Sequence, residues 1–188
     1  YVVWQDNRFE PGGTANDIVL SSSADGTTWS PVSRIPLDPV GSNVDHFIPG
    51  LAVSRTSAGA STQLALTYYF DTDPSCSGLT CQIQVGFASS LDNGQTWSVP
   101  QVLSDPMQLG WIAPTTQGAM VGDYISTSFV AGQQRVVGAF AIGVAPVPGG
   151  LLNEAMYAGL QKVRGGVSRT RNDPVLFTGA ATSPSTPF

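Results

Sequence analysis

A short turn-forming stretch occurs twice in this chain, as Ser23-Ala24-Asp25-Gly26-Thr27-Thr28-Trp29 and as Ser90-Leu91-Asp92-Asn93-Gly94-Gln95-Thr96-Trp97. Each copy follows an apolar, β-prone run and leads into Ser-Pro or Ser-Val-Pro. Such self-similarity signals a repeat architecture, in which one supersecondary unit recurs and stacks on its neighbours. The chemistry is that of a tight turn. The carboxylate of Asp25 or Asp92 accepts backbone N–H bonds, and Gly26 or Gly94 takes positive φ without strain. Ser23, Ser90, Thr28 and Thr96 offer hydroxyls to the remaining backbone groups. Trp29 and Trp97 are expected to bury their rings with the indole N–H on a partner. Side chains committed to a turn are not free for chemistry, so Asp25 and Asp92 are read as structural. The first copy is one residue shorter between aspartate and glycine, which leaves the turn chemistry intact.

Composition agrees with many short strands joined by turns. The 188 residues suit one domain, and 21 Gly and 14 Pro with only 11% charged residues argue against a helical protein. The net charge is −5 with a single lysine, Lys162, so no basic stripe exists to hold nucleic acid. Disorder is excluded by the 41% of hydrophobic residues, set in short alternating runs. Neither a transmembrane segment nor a signal peptide is visible. Tyr1-Val2-Val3-Trp4 already reads as the interior of a strand, so the chain is expected to be a fragment of a longer polypeptide. Cys76 and Cys81 lie in a loop with Gly78 between them. A loop-clamping disulfide, and hence a secreted, cell-surface or periplasmic protein, is favoured over free thiols. Zinc is a third reading, weakened because two cysteines and the distant His46 do not make a four-ligand site.

Along the chain, three units follow one another. In the first, residues 1–37, strands are expected at 1–6 and 17–22, with a short closing strand at 32–35 after the first turn; a further inner strand would have to precede residue 1. The second, residues 46–103, has strands at 47–54, 63–70 and 82–88 and a closing strand at 99–103. In it, Leu64, Leu66, Tyr68 and Phe70 alternate onto one face. The third begins near Gly118, with strands at 121–129 and 135–141. Residues 153–160 fit either a helical stripe (Leu152, Met156, Leu160) or a strand, and strand is chosen. The Ser/Thr/Pro/Ala-rich end, residues 178–188, is expected to be an irregular tail.

The stretch Ser90 to Trp97 reads Ser-x-Asp-x-Gly-x-Thr-Trp and resembles the Asp-box, or BNR repeat, of sialidase-like β-propellers. Trp4-Gln5-Asp6-Asn7-Arg8 resembles the W-x-D-x-R strand ending of bacterial sialidase-like proteins, and Gly122-Asp123-Tyr124-Ile125 their G-D-Y-I element. Together these cover most of residues 1–140. The resemblance implies an all-β fold: a partial β-propeller of two to three four-stranded antiparallel blades out of six. Residues 1–177 form the partial propeller: 1–37 are an incomplete blade, 46–103 a complete one and 118–177 the last. Three blades would leave sheet faces exposed, so further blades are expected from the same or a second chain.

The resemblance also implies what a working sialidase would need: three arginines for the substrate carboxylate, a tyrosine–glutamate nucleophile pair and an acid/base aspartate. Seven arginines are present, but only Arg8, Arg55 and Arg135 fall in or beside strand-rich regions, and only two glutamates exist, Glu10 and Glu154. Arg34-Ile35-Pro36 matches a family motif in letters, but it follows a turn copy and is read as accidental. Asp45, His46, Asp123 and Tyr124 are the candidate catalytic residues, since each lies on or before an inner strand that would line a central funnel. The competing reading gives Asp45 and Asp123 to loop backbone, His46 to a satisfied polar role and Tyr124 to packing. Asp6, Arg8 and Arg55 are candidate ligand-binding residues; for Asp6 and Arg8 a salt bridge is the plainer reading. No metal site or cofactor is expected; Asp71-Thr72-Asp73 is too short to make a Ca²⁺ coordination sphere. The expected function is an exported, carbohydrate-binding or carbohydrate-associated propeller module without demonstrable catalysis in this chain. Two alternatives stand beside it: an exo-sialidase or glycoside hydrolase fragment, and a non-catalytic module for protein interaction or surface structure. The expected partners are a glycan or glycoprotein and further blades, with no nucleic acid and no membrane span.

Overall fold

Why one run, Leu64–Asp71, is buried on both faces explains how the protein is built. A strand shows one face to each side, and here both sides carry apolar groups: Leu64, Leu66, Tyr68 and Phe70 alternate with Ala65, Thr67 and Tyr69, none more than 2% exposed. Such a strand is stable only when packed between two layers. The computed structural model, which describes residues 1–71, 73, 75–150 and 152–166, supplies both layers.

Among the described residues thirteen strands occur in order: β1 Val2–Asp6, β2 Asp17–Ser21, β3 Ser33–Arg34, β4 Asp45–Val53, β5 Leu64–Asp71, β6 Gln82–Ser90, β7 Gln101–Val102, β8 Met107–Gln108, β9 Pro114–Thr115, β10 Gly118–Ala119, β11 Ser126–Phe129, β12 Arg135–Val144 and β13 Asn153–Lys162. Among the described residues the only helices are single 3₁₀ turns at Gly59–Ser61 and Leu109–Trp111. The protein is all-β. Three antiparallel sheets follow chain order: β1-β2-β3, β4-β5-β6-β7 with β8 also on β6, and β11-β12-β13; β9 and β10 form a small hairpin. None closes on itself.

The sheets stack side by side through their first strands, β1 against β4 and β4 against β11. Between the first and second sheets lies one core, with Ile18, Leu20, Ile35 and Leu37 meeting Leu64, Leu66, Tyr68 and Trp97. Between the second and third lies the other, with Tyr69, Val85 and Phe87 meeting Val136, Phe140 and Ile142. Polar stitches cross that second layer. The Tyr69 hydroxyl donates to the Ala141 carbonyl and accepts from the Ala141 N–H, both at 2.9 Å. Thr127 Oγ1 donates to the Gly50 carbonyl at 2.8 Å and lies 2.9 Å from Thr67 Oγ1. Close packing also dictates Gly86, where a Cβ would sit 2.4 Å from Tyr68 Cζ.

The strand expectations hold in outline and shift in detail. Residues 153–160 are strand, the long antiparallel partner of β12 from Asn153 to Lys162. Residues 121–125 are not; the strand starts at Ser126 because Gly122 turns the chain at φ 104°. The Cys76–Cys81 disulfide forms, with Cα atoms 5.6 Å apart, and no free cysteine remains. Among the described residues no helix is long and apolar enough to cross a membrane. The tail at 178–188, the end of the third unit at 167–177, and Thr72 of the acidic loop lie outside the described residues.

Candidate functional site

The two turns copy each other at the level of hydrogen bonds. Asp25 Oδ1 accepts from Thr27 and Thr28 N–H at 2.8 and 2.7 Å, while Ser23 Oγ accepts from Gly26 N–H at 2.8 Å. Asp92 Oδ1 accepts from Thr96 N–H at 2.8 Å, and Ser90 Oγ accepts from Gly94 N–H at 2.9 Å. Gly26 and Gly94 take φ of 76° and 81°. The backbone donors hold the Asp25 carboxyl far below the usual range. Partial burial works against Asp92, but its bonds from Thr96 and Ser90 outweigh it and lower that pKa too. Burial of the two tryptophans differs from expectation. Trp97 is buried and donates Nε1–H to the Gly94 carbonyl at 3.1 Å, whereas Trp29 is 46% exposed.

The candidate catalytic residues resolve into unlike roles. Asp45 Oδ1 accepts from both the N–H and the side-chain Nδ2 of Asn16, at 2.8 and 2.9 Å, and so pins a loop. His46 is 2% exposed, beside Tyr68 and Phe70 with ring centroids 5.6 and 6.3 Å away, so it does not line an open funnel. Asp123 is exposed, and Tyr124, at 89% exposure, packs on no core. Asp6 and Arg8 form a salt bridge at 2.8 Å, with Trp4 Nε1–H donating to Asp6 Oδ2 at 2.9 Å. That pairing, chiefly the Arg8 side chain, lowers the Asp6 pKa to about 2. Nearby, Ile48 sits at φ 47°, a costly conformation for a β-branched residue, beside a β-bulge in β4; Gln5 Oε1 accepts its N–H at 3.2 Å.

Arg55 lies elsewhere, in the loop just after β4. It lines a cavity of about 450 Å³ together with Ser54, Thr56, Ser128, Phe129 and Gln133. Arg55 makes no ion pair among the described residues. Both glutamates are engaged: Glu154 Oε2 accepts from Ala113 N–H at 3.0 Å, and Glu10 Oε1 from Gly41 N–H at 3.2 Å.

A buried charged cluster was missed by the sequence reading, and it contains the arginine of the Arg34-Ile35-Pro36 match. Arg34, on β3, places Nε 2.6 Å from Asp17 Oδ1 and Nη2 against Asp38 Oδ1, with Glu10 Oε1 3.9 Å away. Its Nη1 donates to the Asp38 carbonyl at 2.8 Å, and Ser42 Oγ donates to Asp38 Oδ2. Glu10, Asp17, Asp38 and His46 are all at most 5% exposed. Burial raises the Asp17 pKa in spite of Arg34, with Asp38 and Glu10 adding to the rise. Burial also lowers that of His46 against the pull of Asp38 and Asp17, so the neutral ring is favoured. The cluster ties the 7–16 and 35–44 loops to β2, β3 and β4. Its members stand at irregular spacings on loops and strand ends, and only Asp38, four residues after Arg34, is near it in sequence.

These features define an all-β protein of stacked antiparallel sheets bearing repeated aspartate turns. Comparison with protein-family models, with curated proteins and with solved structures finds no match.

Proposed function

We propose that the chain is part of an exported, sialidase-like β-propeller that binds carbohydrate. The observation that carries the architecture is the duplicated turn: in both copies the serine oxygen accepts from the glycine N–H and the aspartate from the N–H of the threonine before the tryptophan, and in both the turn leads into a two-residue edge strand. Three stacked antiparallel sheets touching through their first strands are consistent with blades around an axis. Met156 and Leu160, half exposed on β13, suit a layer meant to be covered by a further blade. The disulfide fits an oxidising compartment.

For the ligand, the cavity at Arg55 is the best support. Its hydroxyl and amide groups suit sugar hydroxyls, and a guanidinium can grip the carboxylate of an acidic sugar bidentately. No catalytic step is assigned to this chain. The test is titration calorimetry of the protein with 3′-sialyllactose and with lactose. Binding of the acidic sugar, weakened about tenfold or more by Arg55→Ala as a lost charge-assisted contact predicts, supports the reading. Absence of binding to both sugars removes the carbohydrate part.

A further inference from the structure

The cluster around Arg34 has more negative charge than it can balance. Three buried carboxylates, Glu10, Asp17 and Asp38, face one guanidinium, so at formal charges two negative charges are left over. Buried charges persist only when compensated. Two oxygens also stand without any hydrogen bond: Asp17 Oδ2, on a residue 1% exposed, and Glu10 Oε2, on one 4% exposed.

His46 adds the decisive piece. Asp17, Asp38 and His46 each bring one donor atom to within 4.8 Å of one another. His46 Nδ1 lies 3.3 Å from the Asn16 carbonyl, a contact that places the proton of the neutral ring on Nδ1 and the lone pair on Nε2. A carbonyl on one ring nitrogen is the arrangement that orients a histidine to ligate metal through the other. Electron-rich donors converging in a dry site repel one another unless something positive lies between them.

We propose that Asp17, Asp38 and His46 form a structural site for one divalent cation of the Zn²⁺ or Mn²⁺ type, with the unpaired Asp17 Oδ2 as one ligand. Mixed imidazole and carboxylate donors select such ions over Ca²⁺, which prefers oxygen alone. A dication cancels the surplus charge left by Arg34. It would hold the start of β2 and the 35–44 loop onto β4, between the first and second sheets. The site is independent of the carbohydrate reading, since none of its ligands lines the Arg55 cavity.

The experiment refolds the full chain from chelator-treated, metal-free protein with Zn²⁺, Mn²⁺ or Ca²⁺, because the donors are buried and load best before the loops close. Metal is counted by mass spectrometry after dialysis, and the His46 ring is followed by NMR. The chain holds one histidine, so its imidazole signals are unambiguous. Expected are one Zn²⁺ or Mn²⁺ per chain, a shift (Zn²⁺) or paramagnetic broadening (Mn²⁺) of the His46 ring signals, and little effect of Ca²⁺. Asp17→Asn keeps the side-chain shape and should weaken binding on the order of 100-fold or more, since even outer-shell partners are worth 10–100-fold. Asp123→Asn, on the surface, should leave it unchanged. Stoichiometric uptake that leaves the His46 signals unmoved, uptake undiminished in Asp17→Asn, or no uptake at millimolar metal each overturns the proposal. The wild-type NMR readout decides the matter even where the variant fails to fold.

Discussion

The turn at 23–29 and the turn at 90–97 share two bonds, glycine N–H to serine Oγ and threonine N–H to aspartate Oδ1, and live in different surroundings. Around the first, a Cβ on Gly26 would meet nothing within 4 Å, and Trp29 stands half in solvent. The second is clasped from two sides. From the first sheet, Leu20 Cδ2 comes to 2.8 Å of where a Cβ on Gly94 would sit, with Leu64 behind it. From the far end of the chain, residues 164–166 cross over it: Arg164 N–H donates to Ser89 Oγ at 2.9 Å, and a Cβ on Gly166 would touch Thr96 and Trp97. A local motif therefore decides its own hydrogen bonds, while its neighbours decide what those bonds are worth.

The largest expected difference is between the tryptophans. Trp97→Ala opens a cavity in the layer between the first two sheets and should cost about 3–5 kcal/mol, measured by urea unfolding. Trp29→Ala should stay within about 0.5 kcal/mol, as exposed substitutions do. Equal losses would show that the first turn is covered in solution, and would break the contrast.

The glycines sharpen it next. Gly94→Ala combines a left-handed backbone with a clash on Leu20, about 2–4 kcal/mol together; Gly26→Ala meets the backbone term alone, about 1 kcal/mol. Removing the turn carboxylates comes third. Asp92→Ala should cost about 2 kcal/mol for its bonds to Thr96 and Ser90. Asp25→Ala should cost less, because water replaces its partners.

The smallest effect is one of pH. The folded pKa of Asp92 is depressed, so its contribution is present in full above the unfolded value near 4 and is lost as pH falls through the folded value. Asp92→Asn should thus be less stable than wild type at pH 6 and converge on it below about pH 4. A gap that stays constant down to pH 2 would show that the carboxylate charge plays no part in the turn.

Much of this was legible in the residues. Alternation along 63–70 and 82–88 located the two central strands, and the duplicated Asp–Gly–Thr–Trp pattern located the turns. Leu64, Leu66, Tyr68 and Phe70 share a face as read. Less legible was that the opposite face of the same strand is equally buried, since Ala65, Thr67 and Tyr69 do not look like a core in isolation. His46 was singled out, but as a funnel residue; its true surroundings, Asn16 on one side and the Arg34 cluster nearby, come from loops far away in sequence.

The sequence by itself determined the strand periods, the turn chemistry and the disulfide loop, because each depends on residues a few positions apart. Only the tertiary structure decided which tryptophan is buried, why Arg34 sits among three acids, and which donors converge on His46. Those outcomes depend on Glu10, Asp17, Arg34, Asp38 and His46 meeting where two sheets and two loops pack, and no local pattern encodes that meeting.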